Sequence, residues 1–148
     1  NNSIGGSNKM NLEQRLEKAV VDKKKGHNCA QVVACAFADK YDIDESTLLK
    51  VSEAFGGGMG IMSVCGAVSG MLILAGLENA DGNLDENTTK KKTNAAGREL
   101  IAKFEEENKS IICRELKGIE TNVVLASCEK CIADAIKIYN NYLEEKEA

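Results

Sequence analysis

Residues 54–77 read AFGGGMGIMSVCGAVSGMLILAGL and contain no charged side chain. The run is long enough in number to span a bilayer, but Gly56, Gly57, Gly58 and Gly60 break its first half and leave only about 15 helical residues after Ser63. From Val64 to Leu77 the second half is apolar on every side, the pattern of a helix surrounded by other helices. Gly66 and Gly70, one turn apart, leave room for a neighbouring helix to approach closely. The stretch therefore predicts a buried central helix entered by a glycine turn, with no membrane insertion.

Helical spacing continues on both sides of it. Leu12, Leu16, Ala19 and Val20 form a stripe in a charged background, closed by Lys23, Lys24, Lys25 and Gly26. Asn28 caps a second helix with Gln31 at the capping-box position, and Cys29, Val32, Val33, Ala36 and Phe37 form its apolar face. Asp44 or Ser46 opens a third that runs to Phe55. After a polar loop over residues 78–89, a long charged helix runs from about Thr88 to Asn108 with Gly97, Leu100, Ile101 and Phe104 on one side. A short helix follows over Ile111–Leu116 with Gly118 as its stop, and the last starts at Ser127. Asn1–Lys9 reads as an unstructured or appended tail before a start at Met10. The expectation is one all-α domain over residues 10–148, a compact bundle of five to seven helices.

Composition supports this and narrows function. With 148 residues and 43% hydrophobic content the chain can bury a sizeable core. Pro and Trp are absent and aromatics are 4%, which disfavours a sheet protein. The 19 basic and 23 acidic residues give a net charge of −4, no field for nucleic acid. No segment has the charge, apolar run and cleavage pattern of a secretory signal, so the expected location is cytoplasmic and reducing. In such a compartment the six cysteines point to metal-binding, catalytic or redox-sensing thiols rather than a disulfide framework.

Four of the six share a setting. Cys29 follows Asn28, Cys65 lies two after Ser63, Cys113 three after Ser110, and Cys128 follows Ser127, so each falls in a helix's first turn. There the helix dipole and unpaired N–H groups stabilise an anion, which predicts a lowered thiol pKa at all four. Cys35 lies about 120° around its helix from Cys29 and reads as packing. Cys131 makes a C-x-x-C with Cys128 and is a substitute for it, without the βαβ context of a thioredoxin-like dithiol.

Other constellations fail on chemistry. The glycine run lacks the Gly-Lys-Ser/Thr ending of a phosphate loop. Asp81, Asn83 and Asp85 imitate a calcium loop, but Glu86 replaces its Gly and Lys92 its closing Glu. His27 is the only histidine, which excludes multi-histidine metal sites.

Five motifs in order then carry a resemblance: Gly26-His27-Asn28-Cys29-Ala30-Gln31, Phe55-Gly56-Gly57-Gly58-Met59-Gly60, Cys65-Gly66-Ala67-Val68-Ser69-Gly70, Cys113-Arg114-Glu115-Leu116-Lys117-Gly118, and Cys128. Together they resemble the redox-active C_GCAxxG_C_C family, over nearly the whole chain from Met10. His27 stands where the family usually has an aromatic residue and Glu129 where Pro often follows the last cysteine; neither change removes a thiol. The resemblance implies a helical fold and assigns the four family cysteines to Cys29, Cys65, Cys113 and Cys128. It also extends to the helical part of split-Soret cytochromes, with which an iron–sulfur centre is associated, although no C-x-x-C-H haem site is present.

The functional expectation is a redox-active or electron-transfer protein built on Cys29, Cys65, Cys113 and Cys128. These act either as iron–sulfur ligands or as dithiol/disulfide pairs, with Gly58, Gly60 and Gly66 letting backbone approach the centre. In the dithiol version Cys65 attacks and Cys29 resolves. A structural zinc module on the same thiols, or a helical interaction scaffold with buried cysteines, is the alternative. The expected partner is a redox protein or a second copy of the chain.

Overall fold

The computed structural model describes residues 9–148, so the tail expected over Asn1–Lys9 lies, apart from its last residue, outside the described residues. Seven α-helices and no strand are found among the described residues. Helix α1, Leu12–Lys24, opens on a capping box between Asn11 and Gln14. Helix α2, Cys29–Cys35, repeats the device: the Gln31 N–H donates to the Asn28 side chain at 3.0 Å and the Asn28 N–H to Gln31 Oε1 at 2.9 Å. Helix α3, Glu45–Ser52, is capped by Asp44, whose carboxylate accepts the Thr47 N–H. It stops three residues before Phe55 because Glu53–Phe55 tightens into a 3-10 turn.

Helix α4, Gly66–Asn79, starts later than Ser63 for a tertiary reason. Val64 pairs antiparallel with Ile112, the Cys65 N–H donates to Ile111 O at 2.7 Å and the Cys113 N–H to Ser63 O at 2.6 Å. This bridge keeps residues 63–65 out of α4 and delays α6, Cys113–Lys117, in the same way. Helix α5 spans Lys90–Asn108 and α7 spans Cys128–Glu147, capped by Ser127. Gly118, at φ +69°, ends α6, and the C-terminal stop of α5 is Lys109, at φ +74°.

One core joins α1, α2, α4, α5, α6 and α7, with Val33, Phe37, Met71, Phe104, Ile136 and Tyr139 among its fully buried side chains. Burying each such side chain contributes about 1.5–3 kcal/mol. Helix α4 packs against α2, α5 and α7, which accounts for apolar residues around most of its girth. Its approach to α2 depends on glycine: a Cβ on Gly70 would stand 2.9 Å from both Ala30 O and Val33 Cβ. Cys35 packs in a separate small cluster with Ala34 and Leu48. No helix among the described residues is long and apolar enough to cross a membrane.

Candidate functional site

Four helices begin at one place. Cys29 is the first residue of α2, Cys65 is the cap of α4, Cys113 the first residue of α6 and Cys128 the first of α7. Cys131 lies one turn further along α7. These five cysteines, with Gly57, Leu116, Lys117 and Ala126, line one cavity of about 50 Å³. Cys65, Cys113 and Cys131 are buried, whereas Cys29 and Cys128 are half-buried and Lys117 is exposed. All six cysteines are free thiols.

The glycine run shapes one wall. Gly57, Gly58, Met59 and Gly60 all take left-handed φ, at 64°, 63°, 63° and 76°. A Cβ on Gly58 would lie 2.5 Å from Ser63 N and 2.8 Å from Cys113 Cβ, so the loop rests against the start of α6 only because residue 58 has no side chain. Gly66 brings α4 against α2, where a Cβ would sit 3.1 Å from Ala30 N and 3.3 Å from Cys29 Cβ. Gly60 stands apart: a Cβ there would meet nothing within 4 Å.

The thiols divide electrostatically. Hydrogen bonding from the Cys131 thiol holds the Cys65 pKa down to about 7, and the Ala67 and Val68 N–H groups and the Lys117 charge add to this against the opposing effect of burial. Ala67 and Val68 are in the first turn of α4, so the helix start does what the sequence predicts of it. At Cys29 the expectation reverses: burial pushes the thiol up to about 12, reinforced by the charges of Cys128 and Cys65. Burial also pushes Cys113 up. Cys131 is pushed up by its hydrogen bond to Cys65 and by burial. The arrangement is thus an acidic thiol beside one that keeps its proton.

A family model described as "Putative redox-active protein (C_GCAxxG_C_C)" matches residues 27–142. The chain belongs to the C_GCAxxG_C_C family. The matched segment contains all five cavity cysteines as well as Cys35. No curated protein and no solved structure matches this C_GCAxxG_C_C chain.

The structure brings Cys29, Cys65, Cys113 and Cys128 of this family member together and places Cys35 elsewhere. It puts Cys131 on the cavity wall together with Cys128. The C-x-x-C spacing carries that signal, because residues three apart share one side of a helix. Gly57, Leu116 and Lys117 lie within the family motifs, whereas Ala126 joins the lining through a tertiary contact that no local motif announces. Among the described residues no group of three or more His, Cys, Asp or Glu side chains is arranged to hold a metal ion. The donor chemistry suits iron–sulfur or zinc, but the thiols as placed do not form such a ligand group.

Proposed function

We propose that this C_GCAxxG_C_C protein is a thiol–disulfide redox protein in which Cys65 is the attacking thiolate and Cys131 the thiol that closes the disulfide. The observation that carries the reading is the pairing of these two thiols inside the cavity, with the charge held on Cys65. Cys65 attacks one sulfur of an acceptor disulfide, forming a mixed disulfide and releasing one thiolate. That step removes the negative charge facing Cys131, so Cys131 gives up its proton more readily and attacks the Cys65 Sγ. The second acceptor thiol leaves with a proton; two cysteine thiols are oxidised to a disulfide and one acceptor disulfide is reduced to two thiols. Cys131 takes the resolving role in this reading because Cys29 is engaged with Cys128.

The sign of the pH dependence follows from Cys65. Its thiolate fraction rises as pH climbs through about 7, so attack accelerates across that range and levels off above it. Ultraviolet thiolate titration of the wild type should show a step near pH 7 that Cys65→Ser removes. Mild oxidation should remove the Cys65 and Cys131 thiols together, as mapped by peptide mass spectrometry. An unchanged thiol count, or iron or zinc bound stoichiometrically in protein purified without oxygen, would overturn the reading.

A further inference from the structure

We propose that the thiol-lined cavity selects polysulfide anions, short chains of inorganic sulfur, as the oxidant that the Cys65–Cys131 dithiol reduces. This rests on the dithiol reading above and adds the substrate class to it.

Size is the first constraint. A cavity of about 50 Å³ compares with the roughly 10–15 Å³ of accessible space that one water needs. It holds only a few heavy atoms. Cys65 and Cys131 are only 5% and 3% exposed, so an oxidant has to carry its reacting sulfur inward past the half-buried Cys29 and Cys128. A thin chain can do so, whereas a peptide disulfide or a protein loop cannot bring its sulfur to the floor without opening the helix starts.

The lining gives the second constraint. Apart from Lys117 its side chains are thiols, Leu116 and Ala126. Such a wall suits a soft, polarizable chain better than an oxidant that needs several hydrogen bonds. Lys117 is exposed, on α6, and supplies a positive charge that draws an anion to the opening. Hydrogen peroxide is also small, but its leaving group is hydroxide, the conjugate base of water, a very weak acid. The shortened polysulfide that Cys65 displaces leaves far more readily, and a lower leaving-group pKa speeds the displacement.

The balanced sequence has two steps. The Cys65 thiolate attacks the terminal sulfur of the chain, forms a Cys65 persulfide and expels a polysulfide shorter by one sulfur. Cys131 then attacks the Cys65 Sγ and closes the disulfide, and the outer sulfur of the persulfide anion takes the Cys131 proton and leaves as hydrosulfide. Overall one zero-valent sulfur gains two electrons and becomes sulfide, and the two thiols lose them.

The test uses the reduced full chain with sodium tetrasulfide, glutathione disulfide or hydrogen peroxide. Formation of the Cys65–Cys131 disulfide is followed by mass spectrometry, together with sulfide release for the tetrasulfide arm. Each rate is divided by that of the same chain in denaturant, where access is equal for all three. The expected ratio for tetrasulfide exceeds that for glutathione disulfide and for peroxide by at least about tenfold. Lys117→Gln, compared at a pH above the Cys65 titration so that the thiolate fraction is equal, should lower the tetrasulfide rate relative to the peroxide rate. An equal or higher ratio for glutathione disulfide or peroxide overturns the substrate class and leaves the dithiol reading standing. An insensitive Lys117→Gln variant overturns the anion selection. No Cys65–Cys131 disulfide with any oxidant overturns the dithiol reading itself.

Discussion

Helices α4 and α7 run side by side and build two very different ends. At the first, Cys65 caps α4, Cys128 and Cys131 open α7, and a cavity of about 50 Å³ lies among them. At the second, about 12 Å further along α7, Tyr139 donates to Leu74 O of α4 at 3.0 Å and meets the Tyr41 hydroxyl at 2.6 Å. Its ring stands edge-on to Phe37 with centroids 4.9 Å apart, and Tyr41 donates to Glu78 at 2.8 Å. Asn79 Nδ2 donates to the Tyr142 hydroxyl at 3.0 Å. The tyrosine end is filled and its hydroxyls are satisfied; the cysteine end keeps a void, buried thiols and a left-handed backbone run. Locking two helices firmly at one end lets the other hold reactive groups in a fixed geometry without packing them shut.

The most damaging test of that contrast is Tyr139→Ala. It removes a fully buried ring and its hydroxyl, and the expected loss in a urea titration is about 3–5 kcal/mol. Cys113→Ala, which deletes one sulfur beside an existing cavity, should cost much less; equal losses would mean that stability is not concentrated at the tyrosine end. Gly70→Ala tests the link between the two ends. Its Cβ would press on Ala30 O and Val33 Cβ, neither of which can swing away, so α2 must shift from α4 at a cost of about 1–3 kcal/mol. Because Cys29 opens α2 and Cys65 caps α4, the same shift should alter the Cys65 titration. A variant of unchanged stability would show that the close helix contact is not a constraint.

Much of this was readable from local chemistry. The Asn28 and Gln31 box and the Gly118 stop each act within a turn or two of chain, and the structure places both as read; the small residues at 66 and 70 admit α2 as their size implies. The helix-start placement of four cysteines was equally legible. The acidity of Cys29 and Cys113 was not. A helix start lowers a thiol pKa by local geometry, but burial raises it, and burial of Cys29 and Cys113 is settled by segments far away in sequence. The late starts of α4 and α6 were hidden for the same reason, since the bridge between Val64 and Ile112 joins residues almost fifty positions apart. Cys131 was visible as a spacing but acquires its place only through α4 lying alongside α7.

The smallest expected effect lies at Met59, and it separates strain from packing at the cysteine end. Met59 holds φ 63° and ψ 28° between two glycines with a side chain 42% exposed. A left-handed conformation costs an ordinary residue about 1–2 kcal/mol, and glycine avoids that cost but loses more freedom on folding. Met59→Gly should therefore stabilise the protein by at most about 1 kcal/mol. The Cys65 titration should not move, because Gly57 and not Met59 lines the cavity. Should the variant instead lose stability, the exposed methionine would be anchoring the loop, and the wall of the cavity would owe its shape to a side chain as well as to its glycines.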